Sequence, residues 1–469
     1  MIEFSGTYTD QYELTMAQAY YKKGRIKERA VFDYFFRKLP FGGGYAVFAG
    51  LQDLLSALQG LRFNQKDLAF LSEQGFPDDF LSYLADFRFT GNVYSCREGE
   101  IVFGTMPVVQ IEAPLIEAQI IETLLLNILN FQTLIATKAS RIKLVAGDGM
   151  LVDFGLRRAQ GVGGYHASRA AFVGGFDATS NVCAGRDFHL AVSGTMAHSF
   201  VQSYDDELSA FRDFALYRPD NCVLLVDTYN TLESGVPNAI IVAREMEKRG
   251  QRLKGIRLDS GDLAYLAKES RRMLDEAGLE NVKIAASNKL DEYVIRSLKQ
   301  QQAPIDLFGV GTSLVIGHPD GALDGVYKMA FAGEKPRLKL SETLEKITLP
   351  FKKQVYRMHT SDGTWVGADA IFLADETESH NMHHPFAPLK SLSLEGLKKE
   401  PLLHTVMENG TIKHEHSLQE SASYCKERLT RLPSEYKRFE NPHTYKIGIS
   451  DHLKKERDKL IESYRRGHK

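Results

Sequence analysis

Seven clusters of polar and charged side chains stand directly behind short apolar runs in the middle of the chain. They are Arg157 and Arg158; Asp177, Thr179, Ser180 and Asn181; Thr195, His198 and Ser199; Asp227, Tyr229 and Asn230; Arg257, Asp259, Ser260 and Asp262; Ser287, Asn288 and Lys289; and Gly311, Thr312 and Ser313. Arginines grip phosphate or carboxylate with paired N–H donors. Gly309 and Gly311 let backbone N–H groups approach an anion closely, and Thr312 adds a hydroxyl. No cysteine nucleophile and no metal cage accompanies them. Such a set suits a phosphorylated sugar as one ligand and stabilisation of charge on a departing group. No Schiff-base lysine is evident at a run's end, which argues against an aldolase-type barrel.

Each piece taken alone has a simpler reading. An isolated G-x-G is usually a turn, Arg157 and Arg158 could be a surface pair, and a lone His198 is usually a satisfied core group. Asp262 suits the N-cap of a helix beginning at Leu263. His380, His383 and His384 lack the spacing of a ligand set and read as unliganded. The weight lies in the clusters recurring in the same register.

The elements that would position them alternate. The runs L-V-D-F-G (151–155), A-F-V-G-G-F-D (171–177), L-A-V-S-G-T (190–195), V-L-L-V-D-T (223–228), G-I-R-L-D-S-G (255–261), K-I-A-A-S-N (283–288) and D-L-F-G-V-G-T (306–312) read as strands. Helical patterns lie between several of them. Leu263, Leu266, Ala267, Ser270, Leu274 and Ala277 share one face, and Gly278 ends that helix. Another helix runs from Ala239 to Arg249. Alternating strands and helices imply parallel strands with right-handed crossovers. Seven such units suggest an irregular or incomplete β/α barrel, with an open doubly wound sheet as the alternative. In a barrel the active site lies at the C-terminal strand ends, where all these clusters fall.

Residues 1–145 read as a separate N-terminal α/β (α+β) domain. It has a helix at 13–23, a strand at 31–36, a helix at 51–61, strands within 93–110 and a long helical stretch from Ile116 to about Val145. Residues 146–325 form the barrel. Residues 326–469 are a C-terminal extension that completes the N-terminal domain or packs on the barrel, with strands near 326–332 and 354–359 and a charged helix after Cys425.

Composition sets bounds. The 469 residues are 43% hydrophobic and 25% charged, with formal net charge −2, so no overall field favours nucleic acid or anionic lipid. The N-terminus shows no basic region followed by an apolar stretch. The most apolar segment, 120–136, is broken by Glu122, Asn127, Asn130 and Gln132, which suits a buried helix better than a membrane span. Cys96, Cys183, Cys222 and Cys425 are far apart and read as small buried hydrophobes in a reducing cytoplasm.

Several segments together resemble the nicotinate phosphoribosyltransferase family. They are T-D-Q-Y-E-L-T-M (9–16), D-F-G-L-R-R-A (153–159), G-G-F-D-A-T-S-N-V (174–182), G-T-M-A-H-S (194–199), R-L-D-S-G-D-L (257–263) and F-G-V-G-T-S (308–313). They occur in the family's order up to about residue 315. The resemblance implies a type II phosphoribosyltransferase working as a homodimer with sites at the subunit interface. Its substrates would be nicotinate, phosphoribosyl pyrophosphate and ATP, with Mg2+. Its products would be nicotinate mononucleotide, pyrophosphate, ADP and phosphate, in NAD salvage.

Position by position, the resemblance implies that Tyr12 reaches the neighbouring subunit's pocket and stacks on the pyridine ring, with Phe154 on the opposite face. Thr195 and Arg257 hold nicotinate, Arg257 at its carboxylate. Arg157, Ser287, Asn288, Gly309, Gly311 and Thr312 bind phosphoribosyl pyrophosphate. Asp259 lies near the ribose. His198 is phosphorylated by ATP, with Asp227 orienting its ring, and no side chain ligates the metal directly. Nicotinamide-using relatives carry an Asp at the place of Asp177, so nicotinamide phosphoribosyltransferase is one rival. A catalytically silent sensor of phosphoribosyl pyrophosphate or pyridine nucleotides is another.

Overall fold

A computed structural model describes residues 4–343, 346–387 and 389–467. The chain divides into two compact units, one of residues 1–137 with 322–469 and one of residues 138–321. The division falls inside the long helix Glu122–Ala146.

The second unit carries the alternating pattern. Its parallel sheet contains the strands Met150–Asp153, Ala178–Thr179, Val223–Leu225, Gly255–Leu258, Lys283–Ser287 and Leu307–Val310. The last strand pairs with the first, Phe308 beside Leu151 and Val310 beside Asp153. Pairing of the terminal members is what curls a sequentially ordered sheet into a barrel. A single parallel bridge, Thr179 to Val192, adds a seventh position. Among the described residues no ladder joins Val192 to Val223–Leu225, so the barrel is incomplete there.

Leu151, Val152, Leu224, Ile256, Ile284 and Phe308 are fully buried. Each such side chain contributes about 2 kcal/mol relative to exposure. Of the face its spacing predicts, the helix Leu263–Glu276 buries Ala267, Ser270 and Leu274, leaves Leu263 and Leu266 half-buried, and buries Ala264 in addition. Asp262 caps it, accepting from the N–H groups of Ala264 and Tyr265 at 3.1 Å each. One run was misread. Ala171, Phe172 and Val173 are the end of the helix Gly163–Val173, and the strand is only Ala178–Thr179. A short apolar run cannot distinguish a buried helix end from a strand.

The first unit is built on antiparallel pairing. Its seven-stranded sheet places Arg29–Phe36 between Gly325–Ala332 and Val109–Pro114, then continues through Asn92–Ser95 to His404–Glu408. A six-stranded sheet is centred on Lys353–His359, Trp365–Leu373 and Lys446–Ser450. Arg357 is fully buried, yet both oxygens of Asp369 accept from it, at 3.0 and 2.9 Å, and it also pairs with Glu100. Arg428 joins Glu100 at 2.9 Å and Glu400 at 2.9 and 3.1 Å. The helix Gln11–Lys22 leaves Tyr12 exposed. Cys96, Cys222 and Cys425 are buried as expected, but Cys183 is exposed, on the helix Val182–Phe188. No described helix is long and apolar enough to cross a membrane.

Candidate active site

Side-chain alternation along Gly255–Leu258 buries Ile256 and Leu258 and sends Arg257 to the opposite side of the strand. Its guanidinium donates to Thr195 Oγ1 at 2.6 Å and to the Met196 carbonyl at 3.1 Å. Nε is buried and has no partner. Burial lowers the pKa of Arg257, the charges of Asp259 and Asp227 oppose this, and Arg157 adds to it. The group stays a cation, since arginine does not deprotonate in proteins. A buried donor left open beside two satisfied ones is where a ligand oxygen would be welcome.

The next strand ends are tied together by their acids. Asp227 Oδ2 accepts the Asp259 N–H at 2.8 Å and the Ser260 hydroxyl at 2.6 Å, while its Oδ1 is buried without a partner. Asp259 Oδ1 accepts from Ser287, which is itself buried. His198 opens the short helix His198–Gln202. Its Nδ1 lies 3.1 Å from Thr228 Oγ1, and its Nε2 lies 3.8 Å from Asp259 Oδ2. Thr195, His198, Asp227, Arg257, Asp259 and Ser287 are therefore one connected cluster.

The first and last strands supply the other side. Asp153 is buried and accepts from Gly155 N–H at 2.8 Å, Ser168 Oγ at 2.7 Å and Thr179 Oγ1 at 2.8 Å. Burial raises its pKa, and these three bonds pull it back. They fix the turn that presents the half-buried Phe154. A Cβ at Gly309 would lie 2.4 Å from the Phe154 ring, and one at Gly311 would lie 3.2 Å from its carbonyl. Arg157 and Arg158 follow in a short 3₁₀ turn, both exposed and with no acidic partner among the described residues. Behind Lys283–Ser287, Asn288 and Lys289 both adopt left-handed backbone, with φ of 83° and 50°. Two non-glycine residues in that region are costly, and such strain gathers at functional turns. Gly311 precedes the one-turn helix Thr312–Val315, where Thr312 is exposed.

Three expectations need correction. Asp227 does not orient the His198 ring; Thr228, the next residue, holds that place. An uncharged hydroxyl between two conspicuous polar residues gave no signal in the sequence. Asp177 stands at the start of its strand, where Oδ2 accepts the Leu151 N–H at 2.8 Å and lies 3.5 Å from Lys143. The strand-end position belongs to Ser180, whose N–H donates to the Asp153 carbonyl at 2.8 Å. At Gly309 the Phe154 ring already leaves no room for a Cβ, which is a packing reason for glycine that the sequence alone does not show. Asp153 was also passed over: it lies within D-F-G-L-R-R-A, but its burial is invisible in one sequence. His383 pairs with Asp451 at 2.7 Å, and His384 Nδ1 accepts from the N–H groups of Phe386 and Ala387 at 3.1 and 3.0 Å.

Comparison with known proteins adds an independent line. Three family models match consecutive stretches: the nicotinate phosphoribosyltransferase N-terminal domain over residues 7–130, the nicotinate phosphoribosyltransferase family over 131–329, and the nicotinate phosphoribosyltransferase C-terminal domain over 352–457. The chain is 44% identical over 457 residues to the nicotinate phosphoribosyltransferase of Bacillus subtilis, covering 95% of this chain and 92% of that one. It is 40% identical over 451 residues to one from Mycobacterium tuberculosis, with the same two coverages. The crystal structure of human nicotinic acid phosphoribosyltransferase superposes with a TM-score of 0.86 at 31% identity, covering 96% of this chain and 99% of that one.

Proposed function

The chain belongs to the nicotinate phosphoribosyltransferase family, and from its site geometry we propose how its residues carry that activity. Nicotinate and phosphoribosyl pyrophosphate give nicotinate mononucleotide and pyrophosphate, a salvage step towards NAD. The observation that carries the reading is Arg257, held by Thr195 and Met196 with its Nε donor buried and open. A pyridine carboxylate pairs with the guanidinium, and Thr195 and the Met196 carbonyl position it to do so.

Phe154 covers one face of the pyridine ring, and the partner subunit's Tyr12 covers the other in a homodimer. The exposed Arg157, with Asn288, Gly311 and Thr312, takes the phosphates of phosphoribosyl pyrophosphate. Ser287 acts through Asp259, and Gly309 through Phe154. The ring nitrogen forms a bond to the anomeric carbon as the bond to pyrophosphate breaks, its electron pair leaving on the pyrophosphate oxygen. Asp259 faces the positive charge that develops on the sugar. Because the leaving group carries its own charge away, no side-chain nucleophile is required.

Magnesium suits the donor chemistry. In place of the expectation that no side chain ligates the metal directly, Asp227 and Asp259 would be its protein donors, since one or two carboxylates suffice where a diphosphate supplies the rest. When bound it neutralises charge on the departing pyrophosphate. For ATP coupling, His198 Nε2 attacks the terminal phosphorus, the bond to ADP breaks, and water later releases phosphate. Thr228 holds the opposite ring nitrogen. The modified ring adds about two negative charges beside the acids, which strengthens the grip on the cationic and magnesium-bearing parts of the pyrophosphate site. The free thiols of all four cysteines support a reducing cytoplasmic location.

Incubation with nicotinate, phosphoribosyl pyrophosphate, magnesium and ATP should yield nicotinate mononucleotide by mass spectrometry. Its absence with correctly folded protein overturns the reading. His198→Ala should keep basal synthesis and lose the stimulation by ATP; full stimulation in that variant removes the phosphorylation step.

A further inference from the structure

The first unit encloses a cavity of about 600 Å³ that plays no part in the chemistry above. His404, Thr405 and Val406 of the strand His404–Glu408 form one wall, and the partner strand Thr411–Ile412 leads into the next loop. The five-residue loop that follows, Lys-His-Glu-His-Ser at 413–417, brings His414 and His416 to the cavity beside His404. This loop is short and held at its far end, where Ser417 and Glu420 form a reciprocal cap on the helix Leu418–Arg431.

Arg97 lines the same space. Its guanidinium lies 4.4 Å from the centre of the Tyr424 ring, its Nε is buried without a partner, and no acidic group pairs with it among the described residues. The carboxylate next to it, Glu98, is buried and accepts the Gly50 N–H at 2.5 Å. Leu51, Pro401, Leu403 and Val406 provide an apolar floor. A pocket that combines apolar walls with a few convergent polar groups is the ordinary form of a small-molecule site. The unpaired Arg97 guanidinium sets the sign of the ligand, Glu98 being already engaged by the Gly50 N–H, and the three imidazoles supply hydrogen-bonding nitrogens. We infer that this cavity binds a small organic anion, a carboxylate or phosphomonoester on an apolar body, at a site separate from the barrel cluster.

The inference does not rest on the catalytic reading, since none of these residues belongs to the barrel cluster. Burial lowers the pKa of His404 and of His416. Around His404 the charges are Glu100, Glu400, His414 and Arg97; around His416 they are Arg97, Glu420, His414 and Glu98. A bound anion opposes the burial effect, so both imidazoles should titrate at higher pH when the cavity is filled.

The test uses the full chain with phenyl phosphate and benzoate as probes, and inorganic phosphate and benzyl alcohol as head-only and body-only controls. Binding is read by calorimetry and by NMR of 13C-labelled histidine. The two organic anions should bind, move the resonances of His404, His414 and His416, and raise the titration midpoints of His404 and His416. The tighter of the two identifies the head group. Arg97→Gln should weaken binding about tenfold or more. His414→Asn, in an exposed loop, should weaken it several-fold without disturbing the fold. Arg257→Ala should leave it unchanged. Unmoved imidazoles, equal affinity in Arg97→Gln, loss of binding only in Arg257→Ala, or inorganic phosphate binding as tightly as phenyl phosphate would each overturn the assignment.

Discussion

Two arginines define two kinds of region. Arg357 in the first unit is fully buried, and Asp369, Glu100 and the Ile101 carbonyl take its Nε and both terminal nitrogens. Arg257 in the second unit is half-buried, and its Nε is left open. The same holds for the acids: Asp369 is shared between Arg357 and Tyr445, whereas Asp227 keeps one buried oxygen without a partner. Charge that serves the fold is saturated by the fold. Charge that serves a ligand is desolvated in advance and left one bond short.

The contrast can be tested by removing one member of each kind. Arg357→Ala should cost about 3–5 kcal/mol of stability in denaturant unfolding, because it strands Asp369 and Glu100 in the interior. A loss below about 1 kcal/mol would mean that the network is structurally idle. Arg257→Ala should lower kcat/KM for nicotinate roughly a hundredfold while leaving the unfolding midpoint nearly unchanged, since a desolvated charge–charge contact to ligand is removed. Unchanged efficiency would remove Arg257 from the carboxylate site. Gly309→Ala sets a methyl group against the Phe154 ring and should cost about 1–3 kcal/mol. Because Phe154 then shifts, KM for nicotinate should rise with it; a stability loss with unchanged KM would mean that Phe154 does not touch the ring.

Glu13, like Arg97, departs from this pattern in the first unit, with an oxygen buried and unpartnered beside the exposed Tyr12. Burial raises its pKa from 4.5 to about 7; bonds from Gln119 and Tyr12 pull it down, and the charges of Glu122 and Asp10 push it up. A carboxyl raised in the folded state binds more protons there than in the unfolded chain. Its contribution therefore falls as pH rises from about 4.5 to about 7 and is flat above that. Unfolding of Glu13→Gln across this range should show a shallower decline than the parent protein. Identical slopes would mean that Glu13 titrates normally.

Much of the barrel was legible because its strands are apolar on both faces and end abruptly in polar residues, as at Leu258–Asp259 and Ser287–Asn288. The shortest strand was not. Ala178–Thr179 carries two residues of signal, less than the helix end at Ala171–Val173 in front of it, so Asp177 was assigned to the wrong end. Within the site, charge drew attention and neutrality did not: Asp227 was noticed and Thr228 was not, although the hydroxyl meets the imidazole. The sheet centred on Lys353–His359 was only partly readable, because its arginines and acids are buried in pairs, and pairing is not written along the chain.

The missing ladder between Val192 and Val223–Leu225 leaves one link of the ring unfastened. Thr195 and His198 sit on the free side of that link, held to the rest by Arg257, which bonds Thr195 and the Met196 carbonyl, and by Thr228 and Asp259 around the imidazole. On the proposed ATP coupling, the imidazole would gain from this slack, because its segment lies outside the strand ladders. Amide protons of residues 193–203 should therefore exchange faster than those of the paired strands, and occupancy of the site should slow them first.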